Sequence, residues 1–346
     1  VNVLVVGGNR FMGRELVARL LAGGHAVTVF NRGGLPEPFG ERVERLRGDR
    51  ATDDFDRLLS GRSFAAAVDF AAFQEADARR TVGVLSGRVG HYLFIGTGQV
   101  YLVRQGCPRP SRESDYAGPV MPAPPADHPD RGDWEYGVGK RACEDVLEEA
   151  FARLRFPATR LRLPMVYGER DPSRRLEGYL WRLLDGGPLL VPDGGPQPVR
   201  HVYAGEVVRL VLSTMGRAET FGQVYNICQQ EAPSLLTYLR LLARLMDSAA
   251  ALVSVPRPEL EAAGLEPAAV SPFSGRWMSL LDPARARAEL GFEHRPLREC
   301  LQSVVASFLA HPPSDRPAGQ ATRPREVELA RRLGAEPAVS GEAHAT

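Results

Sequence analysis

No sign of charge prevails in this 346-residue sequence: 43 Lys and Arg stand against 42 Asp and Glu, a formal net charge of +1. A chain so balanced has no field with which to hold a nucleic-acid backbone, so generic polyanion binding is not expected. Long apolar runs are missing too. None approaches the ~18 residues of a membrane helix, and the apolar start at 1–6 runs into glycines with no basic leader or small-residue cleavage site. Neither membrane insertion nor secretion is expected. Cysteine is scarce. Cys107, Cys143, Cys228 and Cys300 are widely spread, with no Cys-x-x-Cys and no His at ligand spacing. That argues against a metal site and for reduced packing residues in a cytoplasmic protein. Gly and Pro, at 35 and 28 residues, fall short of the share that marks low-complexity chains.

What is present is a globular composition long enough for roughly two domains. Short apolar runs at 3–6, 26–30, 65–70, 91–95 and 159–163 read as buried strands, and amphipathic stretches at 12–22, 53–59, 76–85 and 135–154 as helices. Their alternation predicts an α/β fold, a doubly wound parallel sheet. After 165 the spacing changes, with helices at 172–184, 234–246 and 297–309 and short strands at 189–191 and 223–227. The expected organisation is a first domain at 1–165, to which 204–227 returns. A smaller substrate domain follows at 166–203 and 228–311, and then a peripheral tail at 312–346 with a short helix near 326–333. The proline-rich stretch 102–132 is too long for an ordinary connection, and reads either as a cover over the substrate or as a solvent loop.

The first strand runs into Gly7-Gly8-Asn9-Arg10-Phe11-Met12-Gly13 and then a helix, the context a dinucleotide fingerprint requires. Gly7 permits the tight turn, and Gly13 lets the helix pack close while its amides face a pyrophosphate. Arg10 replaces the middle glycine of the usual spacing. The second strand ends in Asn31-Arg32, where NAD-selective sheets place a carboxylate for the ribose hydroxyls. Arg32, with Arg10, either pairs with a ribose phosphate, which favours NADP over NAD, or stacks on the adenine or faces water.

Tyr136 and Lys140 stand at i and i+4 on one helix, so they share a face. An ammonium near a phenol favours the phenolate and suits the tyrosine to proton exchange. Thr97, just after the strand 91–95, places a hydroxyl at the sheet edge where ligands of such sheets bind; alone, a threonine there is more often a local cap than a catalyst. In this order, after this loop, the residues resemble the extended short-chain dehydrogenase/reductase superfamily, in particular its NAD-dependent epimerase/dehydratase branch, over roughly residues 1–310. The resemblance implies that Thr97, Tyr136 and Lys140 are catalytic and that the cofactor is NAD(P), with Tyr136 and Lys140 also touching it. It implies that Asp49 meets the adenine, with Arg50 beside it also binding the cofactor, and that Phe70-Ala71-Ala72 passes over the cofactor. Pro164 and Val166, in a segment ending Tyr167-Gly168-Glu169-Arg170-Asp171, lie by the nicotinamide.

Departures narrow the reaction. Family members that dehydrate nucleotide sugars carry Asp and Glu directly after the catalytic hydroxyl residue, whereas this chain has Gly98 and Gln99. Gln99 can bind a substrate but cannot exchange a proton. Met165 stands where many sugar-nucleotide members have Asn. Atypical branches of the superfamily, some non-catalytic and some associated with RNA, share the Gly-Gly-x-Arg-Phe-x-Gly loop. The expected function is an NAD(P)-dependent sugar or sugar-nucleotide epimerase or oxidoreductase working by hydride transfer at a hydroxyl-bearing carbon through a keto intermediate. Arg170 and Arg200 are phosphate partners or solvated ion pairs. The alternatives are an NADPH-dependent reductase of a small ketone or aldehyde, and a non-catalytic NAD(P) sensor. The expected partner is a small molecule, not a nucleic acid or a membrane, with homodimerisation the oligomeric form to test.

Overall fold

In the computed structural model, which describes residues 1–36 and 38–334, successive residues of the first strand enter two different cores. Val3 and Val5 pack with Leu16, Val17 and Leu20, while Leu4 and Val6 pack with Phe55, Leu59 and Ala78. A parallel sheet covered on both faces has no polar side, which is why the strand reads as an unbroken apolar run. The chain builds β1 (Asn2–Val6), α1 (Phe11–Ala22), β2 (Ala26–Asn31), β3 (Glu44–Arg47), α2 (Asp54–Leu59), β4 (Ala66–Asp69), α3 (Glu75–Leu85), β5 (Tyr92–Thr97), α4 (Gln99–Leu102), α5 (Arg131–Leu154) and β6 (Ala158–Leu163). The strand Val224–Asn226 joins them in a seven-stranded sheet in which it is followed by β6, β5, β4, β1, β2 and β3. All neighbours run parallel. The order reverses beside β1, so the carboxyl ends of β1 and β4 open on the crevice where such folds bind ligands.

Two compact units divide the chain. The first is Val1–Val166, His201–Gln229 and Ser279–His294; the second is Tyr167–Arg200, Gln230–Met278 and Arg295–Thr346. The return of 279–294 to the first unit corrects the expectation that 228–311 is one continuous piece of the second. The second unit holds helices Arg175–Leu184, Leu235–Leu245 and Leu297–Ala310 and a two-stranded parallel pair, Leu189–Pro192 with Leu252–Val255. The tail expectation also needs correcting, because helix Arg323–Arg332 belongs to this unit's interior. Glu326, fully buried, takes both ends of the Arg182 guanidinium at 2.7 and 2.8 Å, and Leu329 and Ala330 pack with Leu190 and Val255. An arginine-rich segment with few large apolar residues enters a core here because its charges are paired. Residues 335–346 of that tail lie outside the described residues. Among the described residues no helix is long and apolar enough to cross a membrane.

Two elements of the first unit escape pattern reading. Strand β3 reads Glu-Arg-Leu-Arg, with only Leu46 buried, because an edge strand shows a single face to the core. Helix α5 starts at Arg131, about one turn earlier than 135, so Tyr136 lies in its second turn and not at its opening.

His91, just before β5, is fully buried. Its Nδ1 accepts from Gly216 N at 3.0 Å, which leaves Nε2 to donate to Thr159 Oγ1 at 2.8 Å. Burial holds its pKa down at about 4, against an ordinary 6.5. Between those values the unfolded chain binds a proton that the folded one does not, so stability falls as pH drops from 6.5 towards 4. The loss is on the order of 2–3 kcal/mol. Urea melts at pH 7 and pH 5 should show it, and His91→Gln should flatten the difference.

Candidate active site

The chain leaves β1 through Gly7 at φ +92°, a conformation that favours glycine. Phe70 Cβ and Ala71 Cβ stand 3.4 and 3.6 Å from where a Cβ at 7 would lie, so the end of β4 crosses directly over the loop. At Gly13 a Cβ would run into Gly7 O and lie 3.1 Å from Gly8 Cα. The first turn of α1, from Phe11 through Met12 and Gly13, contains no acid, and Arg10 before it makes no side-chain cap. Its amides and its positive end are therefore left for an external anion. Asn9 Oδ1 is buried without a hydrogen-bond partner, while Asn9 Nδ2 reaches Pro36 O at 3.5 Å. A glycine cradle, an uncompensated helix end and an orphaned acceptor fit a dinucleotide, which offers both a pyrophosphate and hydroxyl donors.

At the end of β2, Asn31 Oδ1 accepts from Gly33 N at 2.8 Å and Arg32 is exposed. Asp49 Oδ1 accepts from Ala51 N at 2.9 Å. Arg50 corrects the sequence reading, since its guanidinium is turned inward. It pairs with Asp69 at 2.8 Å, approaches Asp77 at 3.5 Å and donates to Thr81 at 2.6 Å. Asp69, fully buried, also accepts from Tyr92 Oη and Ala71 N, both at 2.8 Å. Arg50 thereby anchors the Phe70-Ala71-Ala72 segment from behind and does not present itself to a cofactor.

Thr97 ends β5 and is nearly buried, its Oγ1 accepting from Gln99 N at 3.2 Å. Tyr136, half-buried, and Lys140, fully buried, stand one turn apart on α5. Lys140 Nζ donates to Ile95 O at 2.8 Å, two residues before Thr97. Around it stand Phe94 and Phe73, with ring centres at 4.7 and 4.8 Å, and Tyr136 at 6.0 Å. Burial lowers the Lys140 pKa to about 8. The helix comes this close because of the two glycines between Tyr136 and Lys140. A Cβ at 137 would lie 2.6 Å from Val103 Cγ1, and one at 139 would run into Phe73 O. Sequence pattern alone passed over a plain fact of composition: Lys140 is the single lysine in the chain.

Gln99 Nε2 donates to Asp133 Oδ1 at 2.8 Å and to Asp133 O at 3.2 Å. It ties the turn after Thr97 to the first turn of α5, and only its carbonyl oxygen is left to meet a substrate. A Cβ at Gly98 would collide with Ser279 Oγ and lie 2.7 Å from Ser279 Cβ. An acidic residue has no room at 98, and Ser279, in the returning segment that the sequence reading placed elsewhere, borders the turn instead. Leu163 O accepts from Gly98 N at 2.7 Å, which sets Pro164 and Val166 beyond the same edge. Arg170 and Arg200 belong to the second unit.

Beneath this edge lies a buried network. Arg162 holds Glu144, one turn beyond Lys140, with its Nε at 2.9 and 3.1 Å and its Nη2 at 2.6 Å. Its Nη1 donates to Tyr101 Oη at 2.6 Å, and Tyr101 Oη donates to Asn226 Oδ1 at 2.9 Å. The first half of 102–132 is pinned to the same frame. Glu113 Oε1 accepts from Asn226 N at 2.7 Å, and Arg141 Nη2 donates to Tyr116 O at 3.0 Å. Residues 113–116 form a 3-10 turn.

Residues 84–228 match the NAD dependent epimerase/dehydratase family. Among curated relatives, the chloroplast stem-loop binding protein of 41 kDa b of Arabidopsis thaliana is 24% identical over 65% of this chain, which spans 58% of that protein's length. The 2'-dehydrokanamycin reductase of Streptomyces kanamyceticus is 24% identical over 82% of this chain and 77% of its own. Among solved structures, UDP-glucose 4-epimerase of Thermotoga maritima, with UDP-glucose, aligns with a TM-score of 0.71 at 20% identity, covering 90% of this chain and 99% of its own. That likeness fixes the fold. With the family match over residues 84–228, it makes the chain similar to proteins of the NAD dependent epimerase/dehydratase family in that segment and to UDP-glucose 4-epimerase in its fold as a whole.

Proposed function

We propose that the protein is an NAD(P)-dependent oxidoreductase or epimerase that acts at a hydroxyl-bearing carbon of a sugar or sugar nucleotide. The observation that carries this is the buried Lys140 ammonium beside Tyr136, with Thr97 ending the strand to which the ammonium bonds. When bound, the nicotinamide supplies hydride acceptance and donation. In this reading Tyr136 exchanges the proton of the substrate oxygen and Lys140 favours the phenolate. Thr97 Oγ1, already accepting from Gln99 N, donates its own proton to the substrate oxygen and fixes its position. With Gly98 and Gln99 after Thr97, no carboxyl stands in the turn to expel water, which favours redox over elimination.

Net reduction of a sugar ketone is the second reading. It is favoured by the resemblance to 2'-dehydrokanamycin reductase over most of both chains, and by Arg32 at the position where NAD-selective folds hold an acid, which favours NADP. The near-neutral charge of the chain gives no support to RNA binding. Mass spectrometry of the purified protein separates the readings. Tightly retained dinucleotide with interconversion of UDP-sugars supports an epimerase, and NADPH consumed with a sugar ketone supports a reductase. Absence of bound nicotinamide together with absence of turnover on either probe would defeat both.

A further inference from the structure

Just beyond β4 stands Phe73, among the few large apolar side chains turned to water, with 43% of its surface exposed. Its main chain is held on both sides. Asp77 Oδ2 accepts from Phe73 N at 2.8 Å and from Gln74 N at 3.0 Å, and Gln74 O accepts from Cys143 Sγ at 3.1 Å. Phe73 O lies so close to Gly139 that a Cβ there would run into it. What the held ring covers is Lys140. Its centre stands 4.8 Å from Nζ, with Phe94 at 4.7 Å and Ile95 O at 2.8 Å, and the lysine beneath is only 2% exposed. Phe94 belongs to the buried core behind β5. Of the two phenylalanine rings that enclose the ammonium, Phe73 is therefore the one that meets water.

We propose that Phe73 is a positioning residue for Lys140: its ring is the cover that keeps water from the ammonium and holds it within reach of the Tyr136 phenol. The ring has two effects of opposite sign. As a wall it removes water, which disfavours the charged amine; as a π face it attracts the cation. Burial as a whole brings the Lys140 pKa from 10.5 to about 8, a loss of proton affinity of roughly 300-fold, whereas one ring's attraction is worth roughly 2- to 30-fold. Exclusion of water prevails, so a small side chain that admits water and an aliphatic one that removes only the π face should act in opposite directions. The other groups facing the ammonium are Tyr136, Cys143 and Glu144 of α5, Asp69 at the end of β4, and Arg50, and all of them stay in place when Phe73 is changed. The inference rests on the proposed pairing of Lys140 with Tyr136 and adds the residue that keeps the pair dry.

NMR titration of 15N-lysine-labelled protein tests it without substrate, because Lys140 is the only lysine. The wild-type midpoint should lie near 8. Phe73→Ala should raise it by about one unit or more, a gain of roughly 10-fold in proton affinity, as water reaches Nζ. Phe73→Leu, dry but without the π face, should lower it by about half a unit. Phe73→Tyr keeps both wall and face and should stay with wild type. Urea melts check that the variants fold, as substitutions at an exposed ring should. The alkaline limb of hydride transfer, on whichever UDP-sugar or sugar ketone turns over, should move in step with each midpoint. Midpoints that stay with wild type in Phe73→Ala, or that rise equally in Phe73→Leu, would overturn the cover. Midpoints that separate as expected while the alkaline limb stays fixed would uphold the cover and overturn instead the part given to Lys140 in the proposed chemistry.

Discussion

Tyr136→Phe is expected to lower turnover by about 10²–10⁴-fold, the range for loss of a positioned acid/base, with dinucleotide affinity within about twofold of wild type. The ring remains to pack beside Phe73, whose centre lies 6.2 Å away; only the exchangeable proton is removed. Lys140→Met should lose activity comparably and move the remaining activity to higher pH, since an isolated phenol titrates near pKa ~10. Lys140→Arg should be no better. Every other interior cation of the chain is an arginine, yet this pocket of two phenylalanine rings and one carbonyl holds an ammonium. A guanidinium there would bring five donors to a site offering Ile95 O. In wild type the buried ammonium gives up its proton near pH 8, so activity that depends on it should decline above that value. Stopped-flow hydride transfer across pH 6–10 checks all three variants. Wild-type turnover in Tyr136→Phe would remove the tyrosine from the chemistry.

The sheet was legible because burial on both faces makes the middles of β1, β4 and β5 apolar on both sides, a signal that survives without any structure. β3 was not, since an edge strand buries only Leu46. The pairing of Tyr136 with Lys140, to which we assign the proton chemistry, was legible as spacing: i and i+4 on one helix put them on one face whatever surrounds them. Roles that depend on contacts far apart in sequence were hidden. Arg50 follows Asp49 in a motif that suggests a ligand contact, but the buried carboxylate it meets, Asp69, is distant in the chain. Gly98 reads as a missing acid, and only the fold shows Ser279 filling the space. The tail helix was misplaced for the same reason, its polarity being cancelled by Arg182, which no local pattern connects to Glu326.

Arg162→Met should be among the most destabilising single changes in the first unit. Arg162 and Glu144 are almost completely buried, and the arginine carries two bonded ends, one on the carboxylate and one on Tyr101. Removing it strands a carboxylate away from water, at a cost of about 3–5 kcal/mol. Deleting both charges in Arg162→Met/Glu144→Leu should recover most of that loss, because the desolvation penalties of the two ions disappear together. Urea unfolding of the two variants beside wild type tests the first half of the argument, and a double variant no more stable than the single would refute it. The second half concerns Lys140, one turn away on α5. The Glu144 carboxylate helps to keep the ammonium charged against its burial, so the folded double variant should release that proton below pH 8. Because Lys140 is the only lysine, 15N-lysine labelling gives a single side-chain amine whose NMR titration is read directly and without chemical modification. A midpoint unmoved from wild type would mean that the network supports the fold without tuning the proton at the active site.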